Sequence, residues 1–437
     1  MDYRGARLRI ILVGLFVLAL FSVPVYAQDG GDEQPVTVID AVGNEVTITD
    51  TSRIITIGGA VTETVYALGL GDRIVAVDES SIYPAQALDL PMVGYLRFLS
   101  AEPVLSVNPT LIIATEDAGP AETVQQLEAA GVTFLLVPAE DTVTGAIEKI
   151  RAIAVALSRV DEGEALVADL EADVALAQEL LSTVETRPRV MFFFLRGRAV
   201  LAVSGEETGA DEMIRLAGGE NVVSGYTGYQ PITAEAVIAA APDVIMTTSN
   251  GVESIGGVEE VSTLPGVAQT PAGASGRIIA SMDDLRMLGF TARLGDSLLE
   301  LTYRIHEEIP RPVPVVTRLD GRFNLLAEAL ATTDIDRAIR EGGAYTLFAP
   351  TDEVLAGVDL YSVEDLSAIL RHHVVDGEFT AEMLAGMNGE TLTTLNGDAL
   401  TVTVVDSGVM IDGVRVSVAD LSASNGVVHG IDGVLMP

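Results

Sequence analysis

The chain has 437 residues, 49% of them hydrophobic, and its 25 lysines and arginines face 63 aspartates and glutamates, for a formal net charge of −38. An acidic surface of this kind repels phosphate backbones, so nucleic acid is excluded as a partner. The absence of cysteine excludes disulfides, thiolate metal sites, iron–sulfur clusters and cysteine nucleophiles. Length and apolar content allow about three domains.

Residues 1–27 have the composition of a secretory signal peptide. Arg4, Arg7 and Arg9 precede an apolar run over 10–21, and small residues end at Ala27. We therefore expect export to the periplasm or the cell surface, with cleavage after Ala27. The apolar run is short for a membrane span of about 20 residues, and an uncleaved anchor is the alternative.

Residues 35–142 alternate between strand and helix patterns. A β-hairpin is predicted over 36–49 and a helix over 63–70. Apolar runs typical of buried strands occupy 53–57, 74–77, 111–114 and 134–137. This order predicts an α/β lobe with a parallel sheet, the first lobe of the chain.

Residues 143–187 hold two glycines, Gly145 and Gly163, and no proline, with apolar residues at helical spacing. They predict one long bridging helix, or two with a break near Gly163. A stiff bridge limits hinge motion, so we expect a largely preformed cleft. A second α/β lobe follows over 188–307, with predicted strands at 190–195, 199–203, 244–248 and 277–281.

The composition changes after the second lobe. Pro310, Pro312 and Pro314 predict a Pro-rich linker over 308–321. Residues 322–437 begin with a helical pattern and end in short β-runs joined by Asn-Gly, Ser-Gly and Asp-Gly turns, which predicts an α+β domain.

One stretch of the first lobe returns in the second. GYLRFLSAEPVLSVNPTLII over 94–113 is matched by GYQPITAEAVIAAAPDVIM over 228–246, so that Glu102 corresponds to Glu235. A single pair at this distance is not a solenoid, whose periods are about 20 to 50 residues. The repeat predicts two similar lobes, each offering a Gly-Tyr loop to a cleft between them.

Residues 35–307 resemble the substrate-binding proteins of iron-chelate ABC importers, and among them the hemin-binding branch. The motifs that carry the resemblance are VTETVYALGLGDRIVAVDES, VGYLRFLSAEPVLSVNPTLII, GEETGADEMIRLAGGENVV, GYQPITAEAVIAAAPDVI and LPGVAQTPAGASGRIIASMDDLRMLGF. The hemin assignment depends mostly on GYLR and the LPGVAQTPAG region. The resemblance implies a two-lobed protein that captures haem for delivery to a membrane importer.

Tyr95 is the candidate iron ligand. Ferric iron is a hard cation that favours an anionic oxygen, which a tyrosine phenolate supplies. A nearby cation helps the phenol to ionise, and Arg97 resembles the arginine that accompanies the ligand tyrosine in this family. The alternative is a tyrosine at the cleft rim whose hydroxyl is only solvated.

A second axial ligand stays open. Some relatives offer a histidine from the second lobe, but here histidines occur only at positions 306, 372, 373 and 429, and the corresponding segment reads LRGRAVLAV. We expect five-coordinate haem on Tyr95, with Arg196, Arg198 or Tyr229 at the propionates or the open face. Solvated hairpin residues are the alternative for the two arginines.

Glu102 and Glu235 stand at the start of equivalent predicted helices, where a carboxylate interacts favourably with the helix dipole. The resemblance implies that these two glutamates form salt bridges with arginines of the membrane permease. A purely structural role at the helix start is the alternative.

Residues 322–437 resemble a fasciclin-type domain through TLFAPTDEVL, LRHHVVDGEF and ASNGVVHGIDGVLMP. Such a domain implies extracellular adhesion or association with a surface partner. His372 and His373 are adjacent and do not share a face, so we interpret them, with His429, as structural residues.

No enzyme motif occurs, whether GxSxG, P-loop, HExxH or a dinucleotide fingerprint. The sequence therefore predicts an exported, non-enzymatic protein that binds haem for an ABC importer and carries an adhesion-type domain. Two alternatives stay open: a corrinoid or ferric-siderophore binding protein, and a surface adhesion protein whose two-lobed part is a non-transporting scaffold.

Overall fold

The computed structural model describes residues 35–197, 200–333, 335–358, 366–405 and 408–437. The predicted signal peptide and Arg198 lie outside these residues. Within them, no helix is long and apolar enough to cross a membrane.

The first lobe is an α/β unit around a four-stranded parallel sheet in the order β4-β3-β5-β6. A β1-β2 hairpin precedes it. Every residue of β3 and β5 is buried, as expected for parallel strands covered on both faces. The elements are β1 (Val36–Ile39), β2 (Glu45–Ile48), β3 (Ile54–Ile57), α1 (Gly59–Ala67), β4 (Ile74–Val77), α2 (Ala101–Ser106), β5 (Leu111–Thr115), α3 (Ala121–Ala129) and β6 (Thr133–Val137).

Two helices, α4 (Val143–Ala156) and α5 (Val160–Ser182), follow the first lobe. The break between them lies at 157–159, where Ser158 has φ 55°, and not at Gly163. Gly163 is instead the point where α5 meets α4, because a Cβ at this position would lie 2.3 Å from the Cβ of Ala154. The second of these helices packs along the last helix of the second lobe.

The second lobe contains a mixed sheet in the order β10-β8-β7-β11-β12. Its core, β7, β11 and β12, is parallel, whereas β8 and β10 extend it as antiparallel strands. The elements are β7 (Arg189–Arg196), β8 (Val200–Ser204), α6 (Gly209–Leu216), β9 (Glu220–Asn221), β10 (Tyr229–Pro231), α7 (Ala234–Ala240), β11 (Val244–Met246), α8 (Ser249–Ile255), α9 (Pro271–Ser275), β12 (Ile278–Ile279), α10 (Asp284–Leu288) and α11 (Leu294–Ile305).

The Pro-rich segment forms a helix where the sequence predicts a spacer. Pro312 directly precedes α12 (Val313–Asp320), and Pro314 lies in its first turn, where a missing backbone N–H costs nothing. Val313 is fully buried in the core of the third domain. The separating stretch is therefore shorter than the predicted linker over 308–321.

The third domain is α+β, with a sheet in the order β14-β13-β19-β18-β17-β16-β15. β13 and β19 are parallel and the other pairs are antiparallel. The elements after α12 are α13 (Asn324–Ala331), α14 (Ile335–Glu341), β13 (Tyr345–Pro350), α15 (Asp352–Leu355), α16 (Leu366–His372), β14 (Val374–Asp376), α17 (Ala381–Gly386), β15 (Thr391–Thr393), β16 (Ala399–Val405), β17 (Gly408–Ile411), β18 (Val414–Ala423) and β19 (Gly426–Ile431).

Candidate functional site

The Gly-Tyr loop of the first lobe is fixed at the carboxyl ends of β4 and β5. Gly94 has φ 106° and accepts a hydrogen bond of 3.0 Å from the backbone of Glu79, just past β4. The turn that follows is tied to the loop after β5, because Leu99 and Gly119 exchange backbone bonds with this region. Ligands of open α/β sheets bind at such carboxyl ends.

Tyr95 and Arg97 are in direct contact. Arg97 donates from Nη1 to the Tyr95 hydroxyl oxygen at 3.1 Å and forms an ion pair through Nη2 with Asp117. Thr115, the last residue of β5, donates to the other oxygen of Asp117 at 2.6 Å. The guanidinium is thereby held against the phenol oxygen, although its side chain is 55% exposed.

Phe98 extends the aromatic surface beside Tyr95. The two ring centroids are 6.2 Å apart, and Phe98 is 78% exposed, unusually so for a large apolar side chain. Together Tyr95, Arg97 and Phe98 offer an oxygen ligand, a cation and an apolar ring face at one place.

The second lobe presents a related group. Gly228 has φ 79°, and Tyr229 begins β10, paired with Ser204 of β8. The ring of Tyr229 packs on Phe194 at 5.2 Å between centroids, and the Arg196 guanidinium lies 4.3 Å above the other ring of that pair. Arg196 also donates to Asp284 Oδ2 at 2.6 Å. The predicted residues Arg196 and Tyr229 are thus brought together through Phe194.

The hydroxyl of Tyr229 is enclosed, although the residue is 39% exposed. Burial raises the pKa of Tyr229 to about 12, and the carboxylates of Asp141 and Asp284 act in the same direction. Hydrogen bonds with Thr208 and Ala210, at the start of α6, oppose this only in part. Tyr229 therefore keeps its proton at neutral pH.

Asp141 lies between the two lobes. A Cβ on Gly209 of the second lobe would be 3.1 Å from its Oδ2. Burial raises the pKa of Asp141, Lys149 lowers it, and Asp117 and Arg97 of the first lobe also act on it. Because the same carboxyl acts on Tyr229, the two tyrosine groups border one inter-lobe region.

Lys149 is buried beneath this region. Its Nζ donates to the Phe290 carbonyl at 3.4 Å, and burial lowers its pKa against the pull of Asp141, Asp117 and Glu63. It is the single lysine of the chain. Its burial makes it a structural link between the lobes.

Glu102 and Glu235 both occupy the first turn of their helices, α2 and α7, and both are exposed. Neither makes an ion pair within the described part of the chain. A backbone N–H and the Thr233 hydroxyl lower the pKa of Glu235. Thr233, and not the glutamate, is the capping residue of α7, since it accepts from the backbone of Ala236 at 3.3 Å.

The histidines are buried and hydrogen-bonded. His306 contacts the Ala217 carbonyl at 3.0 Å, His373 the Ile369 carbonyl at 2.8 Å and His429 the Phe379 carbonyl at 2.7 Å. His372 contacts Asp398 at 3.2 Å. Across the described ranges, no group of three or more histidine, aspartate and glutamate side chains could hold a metal ion.

Sequence reasoning missed the acidic partners. Asp117 could have been found, because it follows the carboxyl end of a predicted strand. Asp284 is 88 residues from Arg196 in sequence, so no local pattern connects them. Phe98 lies within the predicted motif but was not singled out, since burial cannot be read from one aromatic residue.

Two family models match the chain. The model described as "Periplasmic binding protein" matches residues 54–285, which is more than half of the chain, and the model described as "Fasciclin domain" matches residues 321–437. Among solved structures, the periplasmic heme-binding protein RhuT from Roseiflexus sp. RS-1 in apo form is 42% identical. It aligns with a TM-score of 0.57 and covers 59% of this chain and 99% of its own.

Two curated relatives are similar to the same extent. An uncharacterized ABC transporter substrate-binding lipoprotein of Bacillus subtilis is 28% identical, covering 58% of this chain and 85% of its own length. A vitamin B12-binding protein of Vibrio campbellii is 30% identical, covering 47% of this chain and 73% of its own length. The solved structure and this last relative thus point to different tetrapyrroles.

Proposed function

Because the chain belongs to the periplasmic binding protein family and also carries a fasciclin domain, we propose that it is an exported protein that captures haem for an ABC importer. Its relatives are substrate-binding proteins and not enzymes. The contact between Arg97 and the Tyr95 oxygen carries the haem proposal. An arginine donor favours an anionic oxygen, which is the ligand that ferric iron takes from a tyrosine.

The electrostatics favour Tyr95 over Tyr229 as the iron ligand. The Tyr95 oxygen faces a guanidinium, whereas Asp141 and Asp284 act on Tyr229, whose pKa is raised to about 12. Tyr229 is then a neutral hydrogen-bond donor toward the open face of a five-coordinate haem. Arg196 is suited to a propionate, and Arg198 follows it in sequence on the same hairpin.

The exposed carboxylates of Glu102 and Glu235 support docking on a permease. They stand on equivalent helices, one per lobe, and have no ion-pair partner among the described residues. Two charges one lobe apart form a two-point contact with arginines of the importer. The signal peptide, with cleavage after Ala27, and a surface role for the fasciclin domain complete the proposal.

Hemin titration followed by visible spectroscopy tests the cargo and the ligand together. Wild type should give a shifted Soret band and a tyrosinate-to-iron charge-transfer band. Tyr95→Phe should lose that band and weaken binding by more than the about 10- to 100-fold that an outer-shell partner costs. Tyr229→Phe, the matched control, should keep the band.

The second candidate cargo is a corrinoid, which the Vibrio campbellii relative favours. Saturable binding of cobalamin without binding of hemin would replace haem by this cargo. Loss of the charge-transfer band in Tyr229→Phe but not in Tyr95→Phe would reverse the ligand assignment. Absence of any tetrapyrrole or ferric-siderophore binding would favour an adhesion protein with a two-lobed scaffold.

A further inference from the structure

The third domain contacts the helix between the lobes. Arg337 of α14 donates to Asp169 Oδ1 of α5 at 2.7 Å, and Arg340 of the same helix lies 3.4 Å from Asp173 Oδ1. Asp169 and Asp173 are four residues apart and so lie on one face of α5. Side-chain exposures of 12% for Arg340 and 25% for Asp173 identify this pair as the enclosed part of the contact.

Charge complementarity supports this contact. Helix α5 carries seven aspartates and glutamates and no lysine or arginine, and residues 322–437 carry 18 acidic residues against five arginines. Two such acidic bodies repel each other unless cations are placed between them. Two of the five arginines of the third domain are turned onto α5.

An apolar cluster continues the contact. Tyr303 of α11, Ile309 and Val315 of α12 are all less than 10% exposed and pack with Leu180 of α5 and Val184. The third domain is thus joined to α5 and α11 by a dry surface and not by the chain alone.

The third domain also contacts the first lobe. Tyr83, in the loop after β4, donates its hydroxyl to Glu328 Oε1 of α13 at 2.9 Å. The ring of Tyr83 lies under the Arg293 guanidinium, 3.6 Å from its centre. Arg293 precedes α11 in the second lobe and donates at 2.7 Å to the buried carboxylate of Glu63 in α1. All three bodies therefore meet at Tyr83.

From these contacts we infer that the third domain is an internal brace that fixes the two lobes relative to one another. It holds the first lobe through Tyr83 and Glu328, and the helix and second lobe through Arg337, Arg340 and the apolar cluster. Motion that opens the cleft has to break one of these sets. The inference concerns the lobes alone and does not depend on the cargo.

Electron–electron spin resonance on the full chain tests the brace without any cargo. The absence of cysteine allows two labels at Gln125→Cys on α3 and Glu253→Cys on α8, both exposed, one per lobe. The brace variant adds Glu328→Arg and Asp169→Arg, which place positive charge opposite Arg293 and the α14 arginines. We expect one narrow inter-lobe distance in the parent and a distribution at least twice as wide in the variant.

A matched control adds Glu171→Arg and Glu382→Arg, with the same change in net charge. Glu171 is two residues from Asp169 and lies on the opposite face of α5, and Glu382 starts the distant helix α17. The control should keep the narrow distance. A milder variant, Tyr83→Phe with Asp169→Asn, should give intermediate broadening and covers the case in which the charge reversals unfold the chain. Equal widths in the control and in the folded brace variants would overturn the inference.

Discussion

The two cleft tyrosines differ in the charges around their hydroxyl groups. Tyr95 accepts from Arg97, which Asp117 orients, whereas the Tyr229 hydroxyl is enclosed near Asp141 and Asp284. The internal repeat supplies each lobe with a glycine in the left-handed region followed by a tyrosine. Residues from outside the repeat then make one tyrosine suitable for a cation and leave the other protonated.

At neutral pH the buried histidine His373 is uncharged, and this has a consequence for stability. Burial lowers the pKa of His373 to about 4, the Ile369 carbonyl acts in the opposite direction, and His372 adds to the lowering. An unfolded histidine titrates near about 6.5. As pH falls from about 6.5 to 4, the unfolded chain binds a proton that the folded one refuses. Stability is therefore lost in this window, by about 1.4 kcal/mol per pH unit at most.

Pulse proteolysis in urea, which follows each domain by its protected fragment, measures this loss. From pH 6 to pH 5 the third domain of His373→Gln should lose about 1 kcal/mol less stability than that of the wild type. His372→Gln provides the comparison at the neighbouring position. An identical pH slope in wild type and His373→Gln would show that this ring does not carry the effect.

At this scale the sequence predicts what lies close in the chain. Tyr95 and Arg97 are two residues apart, and their contact is observed. Glu102 and Glu235 emerge from the repeat, and the structure has both exposed in a first helical turn. The carboxylates that pair with Arg97 and Arg196 are 20 and 88 residues away, so only the folded sheets bring them there.

At the scale of elements, the buried strands and the bridging helices follow from apolar patterning, and the α/β lobes are confirmed. The position of the break was wrong because a glycine inside a helix has two physical readings. It can end the helix, or it can let another helix approach closely. Gly163 does the second, and Pro312 and Pro314 similarly mark a helix start where a spacer was predicted.

The close approach at Gly163 can be tested by a double-mutant cycle. Gly163→Ala should destabilise the protein by about 1 to 3 kcal/mol, because the new methyl group lies 2.3 Å from the Ala154 Cβ and the helices must move apart. This outweighs the gain of about 1 kcal/mol in helix propensity. In an Ala154→Gly background the same change should cost less or stabilise.

Thermal unfolding of the four proteins in that cycle gives the coupling energy. Gly145→Ala is a different test case, since it meets the backbone of Glu140 and has no partner methyl group to remove. Additive effects of Gly163→Ala and Ala154→Gly would contradict a direct contact between α4 and α5 at this point.

At the scale of the whole molecule, the motif resemblance is confirmed for both parts of the chain, by a periplasmic binding protein match and a fasciclin match. Contacts between those parts could not be predicted. Tyr83 and Glu328 are 245 residues apart, and each is an unremarkable surface residue in sequence. Composition did predict one global property, the large negative charge, whose effect on cargo binding depends on where the few cations lie.

Those cations do not make the cleft positive. Arg97 is paired with Asp117 and Arg196 with Asp284, while Asp141 adds a further carboxyl between the lobes. Hemin carries two propionates against one positive charge at ferric iron, so it approaches a chain of net charge −38 with the same sign. Screening lengths of about 30 Å at 0.01 M and 8 Å at 0.15 M ionic strength then predict faster association at higher salt.

Stopped-flow measurement of the Soret change with monomeric hemin tests this, and an increase of several-fold in the association rate constant between these ionic strengths is expected. Hemin dimethyl ester, which lacks the propionate charges and keeps the positive centre, should show the opposite trend. If hemin itself associates more slowly as salt is added, the local field of Arg97 and Arg196 must exceed that of the surrounding carboxylates. The ion pairs with Asp117 and Asp284 would then have to open before cargo arrives, because only unpaired guanidinium groups could attract it over that distance.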